Sequence, residues 1–140
     1  ANNLAMALHD LGRYEEAVPH YRTVLEGCGE QLGDMHPYTL TSKDNLAGLL
    51  FDMEKLQEAE KLFRQALDGR RRLLGNRHLD TLQTANSLAL LLEQTGRLNE
   101  ADPLFREVFE GHKAQLGSHH AMALQSAVNL AGLAQARGIL

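Results

Sequence analysis

The stretch GRYEEAVPHY, residues 12–21, decides the fold because its pattern recurs along the chain. It contains a glycine, two glutamates, an alanine, a proline and an aromatic residue four positions after the alanine. A shift of 42 residues aligns it with residues 54–63 and 96–105 without any insertion or deletion. A fixed period of this size is typical of a repeat array.

The period covers the whole chain. Three periods of 42 account for 126 of the 140 residues, and the last 14 begin a fourth. The predicted units are about 1–38, 39–80, 81–122 and 123–140. Together they form one array over residues 1–140.

Each unit contains two segments with helical spacing of apolar residues. In the second unit helix A carries Leu40, Leu46, Ala47, Leu49, Leu50 and Met53, and helix B carries Ala59, Leu62, Phe63, Ala66, Leu67 and Leu73. No stretch alternates with period two, so strands are not expected. The sequence predicts an all-α fold of about seven antiparallel-stacked helices.

Helix ends are predicted from capping residues. Thr39, Asp80 and Thr81 are the expected N-caps of the A helices, because their side-chain oxygens can accept free backbone N–H groups. The expected left-handed C-caps of the B helices are Gly33, Gly75 and Gly117.

The opening stretch is then the turn between the two helices. Gly12 and Gly96 end helix A, and the two glutamates lie near the positive end of the helix B dipole. Pro19 and its counterpart Pro103 predict a slight bend rather than a break. The second unit has Glu54 at the glycine position. A positive φ there costs about 1 kcal/mol, so a strained or differently shaped turn is predicted.

Composition excludes several classes of function. The formal charge of −4 lacks the basic excess of a nucleic-acid-binding protein. The sequence contains no run of 18 apolar residues, so no membrane-spanning helix is predicted, and no secretory signal is visible. Cys28 is the single cysteine, which fits a reducing compartment. A cytoplasmic, intracellular location is expected.

These features together resemble the tetratricopeptide repeat. Helix A carries a leucine followed by a small residue, at Leu4-Ala5, Leu46-Ala47, Leu88-Ala89 and Leu130-Ala131. Helix B carries a small residue and then a large one, at Ala17 and Tyr21, Ala59 and Phe63, and Ala101 and Phe105. The 42-residue period, NNLA, GRYEEA and LGDMHP are similar to the kinesin-light-chain subtype. The resemblance implies an α-α superhelix, a solenoid with a concave face.

The resemblance also implies which side chains line the concave face. These positions of the repeat are occupied here by Asn2, Asn3, Met6, His9, Asp10, Thr41, Asp44, Asn45, Gly48, Phe51, Asp52, Gln83, Asn86, Ser87, Leu90, Glu93, Gln94, Gln125, Val128, Asn129, Gly132 and Gln135. Asn and Gln can pair with the backbone of an extended segment. The carboxylates favour basic character in the partner, and Phe51 is the predicted apolar anchor. Because the set contains no Lys or Arg, it does not suit the acidic, Trp-containing cargo peptides that kinesin light chains bind.

The predicted function is a protein–protein interaction scaffold that binds a protein or peptide partner of basic or aromatic character. The alternative is a structural or regulatory spacer that packs within a larger multidomain protein or self-associates. Because neither end carries a polar cap, the chain is expected to be a monomer or to associate end to end.

No enzymatic activity, cofactor or metal is predicted. His36, His78 and His120 recur one repeat apart, too far to share a metal, and are expected to be turn residues. His112, His119 and His120 cluster near one loop, where adventitious divalent binding is the alternative. Cys28 lacks the base and oxyanion donors that a nucleophile needs.

One basic run, Arg70 to Arg72 with Arg64 and Arg77 nearby, has two interpretations. It could be a patch for phosphate or for an acidic partner. The favoured interpretation is a solvated end of helix B, where cations suit the negative end of the dipole.

Overall fold

The computed structural model describes residues 2–138, apart from the side chains of residues 2, 3 and 5. This range contains seven α-helices and no strand, which confirms the predicted all-α fold. The helices are α1 (Asn2–Asp10), α2 (Tyr14–Leu32), α3 (Pro37–Asp52), α4 (Leu56–Leu74), α5 (Leu79–Gln94), α6 (Leu98–Leu116) and α7 (Ala121–Ala136). Odd-numbered helices are the predicted A helices and even-numbered helices the B helices.

The chain divides into two compact units, residues 1–69 and 70–140. In the first unit α2 packs against both α1 and α3. In the second unit α6 packs against both α5 and α7. Within residues 2–138, no helix combines the length and apolar character needed to cross a bilayer.

The repeated small and aromatic residues form the cores. Ala17 and Tyr21 of α2 are 0% and 3% exposed, and Ala101 and Phe105 of α6 are 0% and 1% exposed. The A helices add leucines on one side, such as Leu46 in the first unit. Burying each large side chain stabilises the fold by roughly 1.5–3 kcal/mol. The residues that recur every 42 positions are therefore also the residues that stabilise the cores.

Close approach of A and B helices depends on two glycines. A Cβ added to Gly69 of α4 would lie 2.4 Å from Cδ2 of Leu40 on α3. A Cβ added to Gly111 of α6 would lie 2.5 Å from Cδ1 of Leu82 on α5. Leu40 and Leu82 are almost completely buried. Leu40 and Leu82 therefore each fit against the backbone of the following B helix at its glycine.

The predicted threonine and aspartate N-caps were wrong. The N-caps of α3, α5 and α7 are His36, His78 and His120, whose Nδ1 atoms each accept the backbone N–H two residues later at 3.1 Å. Thr39, Asp80 and Thr81 lie inside the helices, which begin earlier than expected. Nδ1 accepts a hydrogen bond as a serine oxygen does, so the recurring histidines are turn residues with a capping role.

The helix-ending glycines are where the sequence placed them, although their conformation differs. Gly33 has φ 89° and ψ 161°, and Gly117 has φ 92° and ψ 156°. These values lie outside the left-handed helical region, in a region that essentially only glycine occupies. The chain therefore leaves helix B extended, and the carbonyl oxygen of Gly33 accepts the hydroxyl of Thr39 at 2.7 Å.

The turn from helix A to helix B keeps one shape in all units. Gly12 and Gly96 have φ values of 77° and 79°, and Glu54 has φ 63°. The turn of the second unit is therefore not differently shaped, and Glu54 adopts the positive φ on which the prediction of strain depends. Pro19 and Pro103 lie inside α2 and α6, which continue through them.

Candidate peptide-binding face

The described residues that were predicted to line the concave face lie outside the buried positions of the A helices. We call those on α1, α3, α5 and α7 the A face. The buried residues of α3 and α5 include none of its members. Asn2 and Asn3 were also predicted members, but their side chains lie outside the described residues.

In the first unit the A face contains a hydrogen bond between two helices. Nε2 of His9 on α1 donates to Oδ2 of Asp52 on α3 at 2.6 Å. The His9 ring also contacts the rings of Tyr14 and Tyr21 edge-on, with centroids 5.5 and 6.3 Å apart. Burial, and then the carboxylate of Asp10, raise the pKa of the Tyr21 hydroxyl. His9 therefore connects the A face to the core.

In the second unit the A face contains a chain of carboxamides. Nε2 of Gln125 donates to Oδ1 of Asn129 at 3.1 Å, and Nδ2 of Asn129 donates to Oδ1 of Asn86 at 3.4 Å. Asn86 lies on α5 and the other two on α7. At the two ends of this carboxamide chain, an N–H donor of Asn86 and the acceptor oxygen of Gln125 take no part in these two bonds.

The inter-helix bonds of the two units follow one rule. His9 and Asp52 are 43 residues apart, and so are Asn86 and Asn129. A side chain on one A helix thus bonds to the side chain one repeat and one position further on. Neighbouring A helices therefore bring their A-face side chains within hydrogen-bonding distance in both units.

The apolar members of the A face differ in exposure. Phe51 is half-buried, whereas Met6 is 47% and Leu90 is 37% exposed. Partial burial of Phe51 leaves ring area for a ligand, and it also gives the ring a packing role.

The remaining members of the A face are polar or small, apart from Val128, which is 64% exposed. Thr41 and Asp44 each interact with another residue of the chain. Asp10, Thr41, Gln83, Gln94, Gln125, Val128, Gly132 and Gln135 are exposed, and Asp44, Asn45, Gly48, Ser87, Glu93 and Asn129 are half-buried.

The favoured interpretation of the arginine run was wrong for Arg70. This side chain is 6% exposed, and its Nη1 donates to Oγ1 of Thr84 at 2.6 Å and to the carbonyl oxygen of Asp80 at 3.2 Å. Its neighbour Arg71 pairs with Glu107 at 2.5 Å. The start of the run is therefore part of the packing rather than a solvated helix end.

Arg70 belongs to a recurring site that the sequence interpretation missed. We call Cys28, Arg70 and His112, each 42 residues from the next, the junction position. Each faces a hydroxyl of the following A helix, at Ser42, Thr84 and Ser126. The separations are 3.8, 2.6 and 2.5 Å in chain order. The sequence contained a signal for this site, because the partner hydroxyl residues, Ser42, Thr84 and Ser126, also recur every 42 residues.

His112 shows how strongly the junction position is shielded from water. The hydroxyl of Ser126 donates to the carbonyl oxygen of Met122 at 2.8 Å, so it accepts a hydrogen bond from the Nδ1–H of His112. Nε2 of His112 is buried without a partner. Burial lowers the pKa of His112, a bond to the Met122 backbone opposes this, and His120 adds to the lowering. Burial of His112 thus favours the neutral form of the imidazole.

The histidines do not form a metal centre in the described chain. His112 is buried between α6 and α7, whereas His120 caps α7 and His119 is exposed. Among residues 2–138, no three His, Cys, Asp or Glu side chains group so as to hold an ion.

A family comparison agrees with this architecture. The model of the tetratricopeptide repeat matches residues 1–71 and 40–114. The chain belongs to the tetratricopeptide repeat family. The curated proteins give no match.

Solved structures share the fold over nearly the whole chain. A Podosopora anserina protein, whose nearly identical repeats are described as TPR-like and of the kinesin light chain type, has a TM-score of 0.90 at 28% identity over 98% of this chain and 65% of its own. A single-substitution variant of that protein gives the same values. BtubC (BKLC) from P. vanneervenii has a TM-score of 0.90 at 22% identity over 97% of this chain and 54% of its own.

The chain thus spans less than two thirds of the length of these proteins. The tetratricopeptide solenoid fold and its kinesin-light-chain-like repeat are confirmed.

Proposed function

We propose that the A face binds an extended or helical segment of a partner protein. Tetratricopeptide repeats generally mediate protein–protein interaction, and this family shares a non-catalytic scaffold. The observation that carries the proposal is the spacing of 43 residues in both inter-helix bonds. It gives each unit a row of polar side chains that passes from one A helix to the next.

The chemistry of the A face favours a partner with basic or aromatic character. Asp10, Asp52 and Glu93 carry negative charge, and the A face has no Lys or Arg. The carboxamide chain supplies both a donor and an acceptor, which complement the C=O and N–H of a peptide backbone. A half-buried phenylalanine can contact an apolar or aromatic side chain.

Peptide display against the intact chain, held monomeric and checked by light scattering, tests this proposal. We expect selected peptides to share basic or aromatic residues. Their affinity should fall by roughly tenfold with Phe51→Ala or Asp52→Ala, as for an anchor residue of an interface. The matched control is Glu15→Ala, which removes an exposed carboxylate from the B helix α2.

Two results would contradict the proposal. A folded monomer that enriches no peptide has no receptor face. Equal losses from Glu15→Ala and Asp52→Ala would show that only net charge matters. A loss of several kcal/mol in the free energy of unfolding with Phe51→Ala would instead assign the ring to the core.

We place this activity in the cytoplasm, as the sequence predicts. The support is Cys28, a free thiol that is only half-buried and suits a reducing compartment.

A further inference from the structure

The first unit contains a cleft of about 520 Å³ between α2, α3 and α4, away from the A face. Leu25 of α2 and Leu62 of α4 supply an apolar wall. Glu26, Glu30 and Asp34 supply carboxylates, and α3 contributes Lys43. The volume lies in the range of about 300–1,000 Å³ that is usual for ligand pockets.

The cleft has an excess of negative charge, because three carboxylates and a single cation, Lys43, stand among its lining residues. Among the described residues, no hydrogen bond or ion pair connects the side chains of Glu26, Glu30 and Asp34 to another residue. Glu26 affects the pKa of Arg22 at longer range, but the guanidinium of Arg22 is bonded to Glu58 at 2.8 Å. The last turn of α2 has no basic residue. Carboxylates near the negative end of a helix are unfavourable, and a cation there is favourable.

The second unit shows which chemical group occupies the corresponding space. A shift of 42 residues converts Gly29 to Arg71 and Gln65 to Glu107. Arg71 of α4 donates from Nη2 to Oε2 of Glu107 on α6 at 2.5 Å, and its Nε is buried. One B helix thus reaches the next through a guanidinium. In the first unit Gly29 has no side chain, and a Cβ added there would meet only Oδ1 of Asp34, at 3.5 Å.

We propose that this cleft docks an arginine-bearing segment of a partner protein. The methylene stem of the arginine packs on Leu25 and Leu62, as arginine stems commonly cover apolar surface. Its guanidinium takes the place that Arg71 fills in the second unit and donates to the carboxylates of Glu30 and Asp34. Arginine suits this site better than lysine because its planar fork donates to two acceptors at once.

The docking cleft is separate from the A face. None of its residues belongs to the A face, and it lies on B helices and on Lys43 of α3. The proposal does not rest on the proposed function, and either can fail without the other.

Amide chemical shifts of the intact, ¹⁵N-labelled chain test the cleft. The probe is N-acetyl-L-arginine amide, and N-acetyl-L-citrulline amide is its neutral isostere. We expect saturable shifts confined to Leu25 to Asp34 and Leu62 to Gln65, at concentrations up to roughly 20 mM, which covers the millimolar affinity of one side chain. Citrulline should shift these amides several-fold less. Absence of localised shifts, or equal shifts with citrulline, overturns the proposal.

Variants give an independent readout. The pair Gly29→Arg with Gln65→Glu builds the second unit's ion pair into the cleft. It should abolish the arginine shifts, whereas a double variant that keeps them shows that the probe binds elsewhere. Glu30→Gln should weaken arginine binding by roughly three- to tenfold, while Glu15→Gln, an exposed carboxylate on the same helix, should change it less than twofold. Equal effects of the two glutamates contradict a specific cleft.

Discussion

Replacing Gly69 with alanine should destabilise the first unit, although alanine is the better helix former. The new Cβ would lie 2.4 Å from Cδ2, 2.9 Å from Cδ1 and 3.2 Å from Cγ of Leu40. Ordinary contacts between carbon atoms are about 3.5–4.0 Å, so one helix must move by about 1 Å. Leu40 is 1% exposed, so its side chain is surrounded by other protein atoms. Overpacking of this kind costs about 1–3 kcal/mol, and three close contacts with a buried leucine favour the upper half of that range.

Alanine regains about 1 kcal/mol of helix propensity, so the net loss expected for Gly69→Ala is about 1–2 kcal/mol. Urea unfolding followed by circular dichroism measures it. The control is Gly27→Ala, the same repeat position in α2, where an added Cβ meets nothing within 4 Å. It should stabilise by up to about 1 kcal/mol. In a double-mutant cycle, Gly69→Ala should cost less when Leu40→Ala is present, because the clash is gone. If Gly69→Ala and Gly27→Ala have the same effect, the tight contact does not limit helix approach.

Three further changes test separate features. Glu54→Gly should stabilise by about 1 kcal/mol in urea unfolding by relieving the positive φ, and an unchanged stability would contradict strain at this turn. Because burial lowers the pKa of His112, acidification below about pH 6.5 protonates this histidine in the unfolded state before it does so in the folded state. The free energy of unfolding should therefore fall as the pH falls. This fall should be smaller in His112→Gln, whereas the exposed-site control His119→Gln should show the same fall as the unsubstituted chain. Arg70→Ala should cost about 2–4 kcal/mol in thermal unfolding, because it removes a buried, hydrogen-bonded cation, whereas Arg64→Ala, which breaks an exposed pair, should cost less than about 0.5 kcal/mol.

The fold could be predicted from the sequence because its information is periodic. A shift of 42 residues aligns the small and aromatic core residues, such as Ala17 and Tyr21, and their alignment already implies a common environment. Helix number and type, the helix-ending glycines and the positive φ of Glu54 all follow from this alignment with ordinary propensities.

The helix starts were predicted less well because capping depends on side-chain geometry. A threonine such as Thr39 is a frequent N-cap, so propensity alone favoured it over His36. In the structure the chain turns earlier, since Gly33 leaves the helix extended and His36 can then reach the backbone N–H of Tyr38. The sequence shows a histidine in each of the three turns before α3, α5 and α7, but it does not show that Nδ1 of the ring accepts a backbone N–H of the helix.

The A face is an intermediate case. The family pattern assigned its residues to one side of each A helix, and the described members do lie off the cores. The pattern did not reveal that His9 bonds to Asp52, or that Asn129 bonds to Asn86. Such bonds depend on the stagger between neighbouring helices, which a sequence comparison at equal positions cannot supply. A ligand of this face must therefore compete with bonds that the chain already makes.

The junction position explains why three residues looked unrelated in the sequence. Considered with its neighbours in sequence, each raised a different alternative that was not favoured: a nucleophile at Cys28, a charged patch at Arg70 and adventitious metal binding at His112. In the structure they share one environment, opposite a hydroxyl whose oxygen can donate or accept. A hydroxyl tolerates a thiol, a guanidinium or an imidazole as its partner, so the junction can vary chemically while the packing around it stays fixed. Variation at one position of a repeat is therefore weak evidence of function until its constant partner is known.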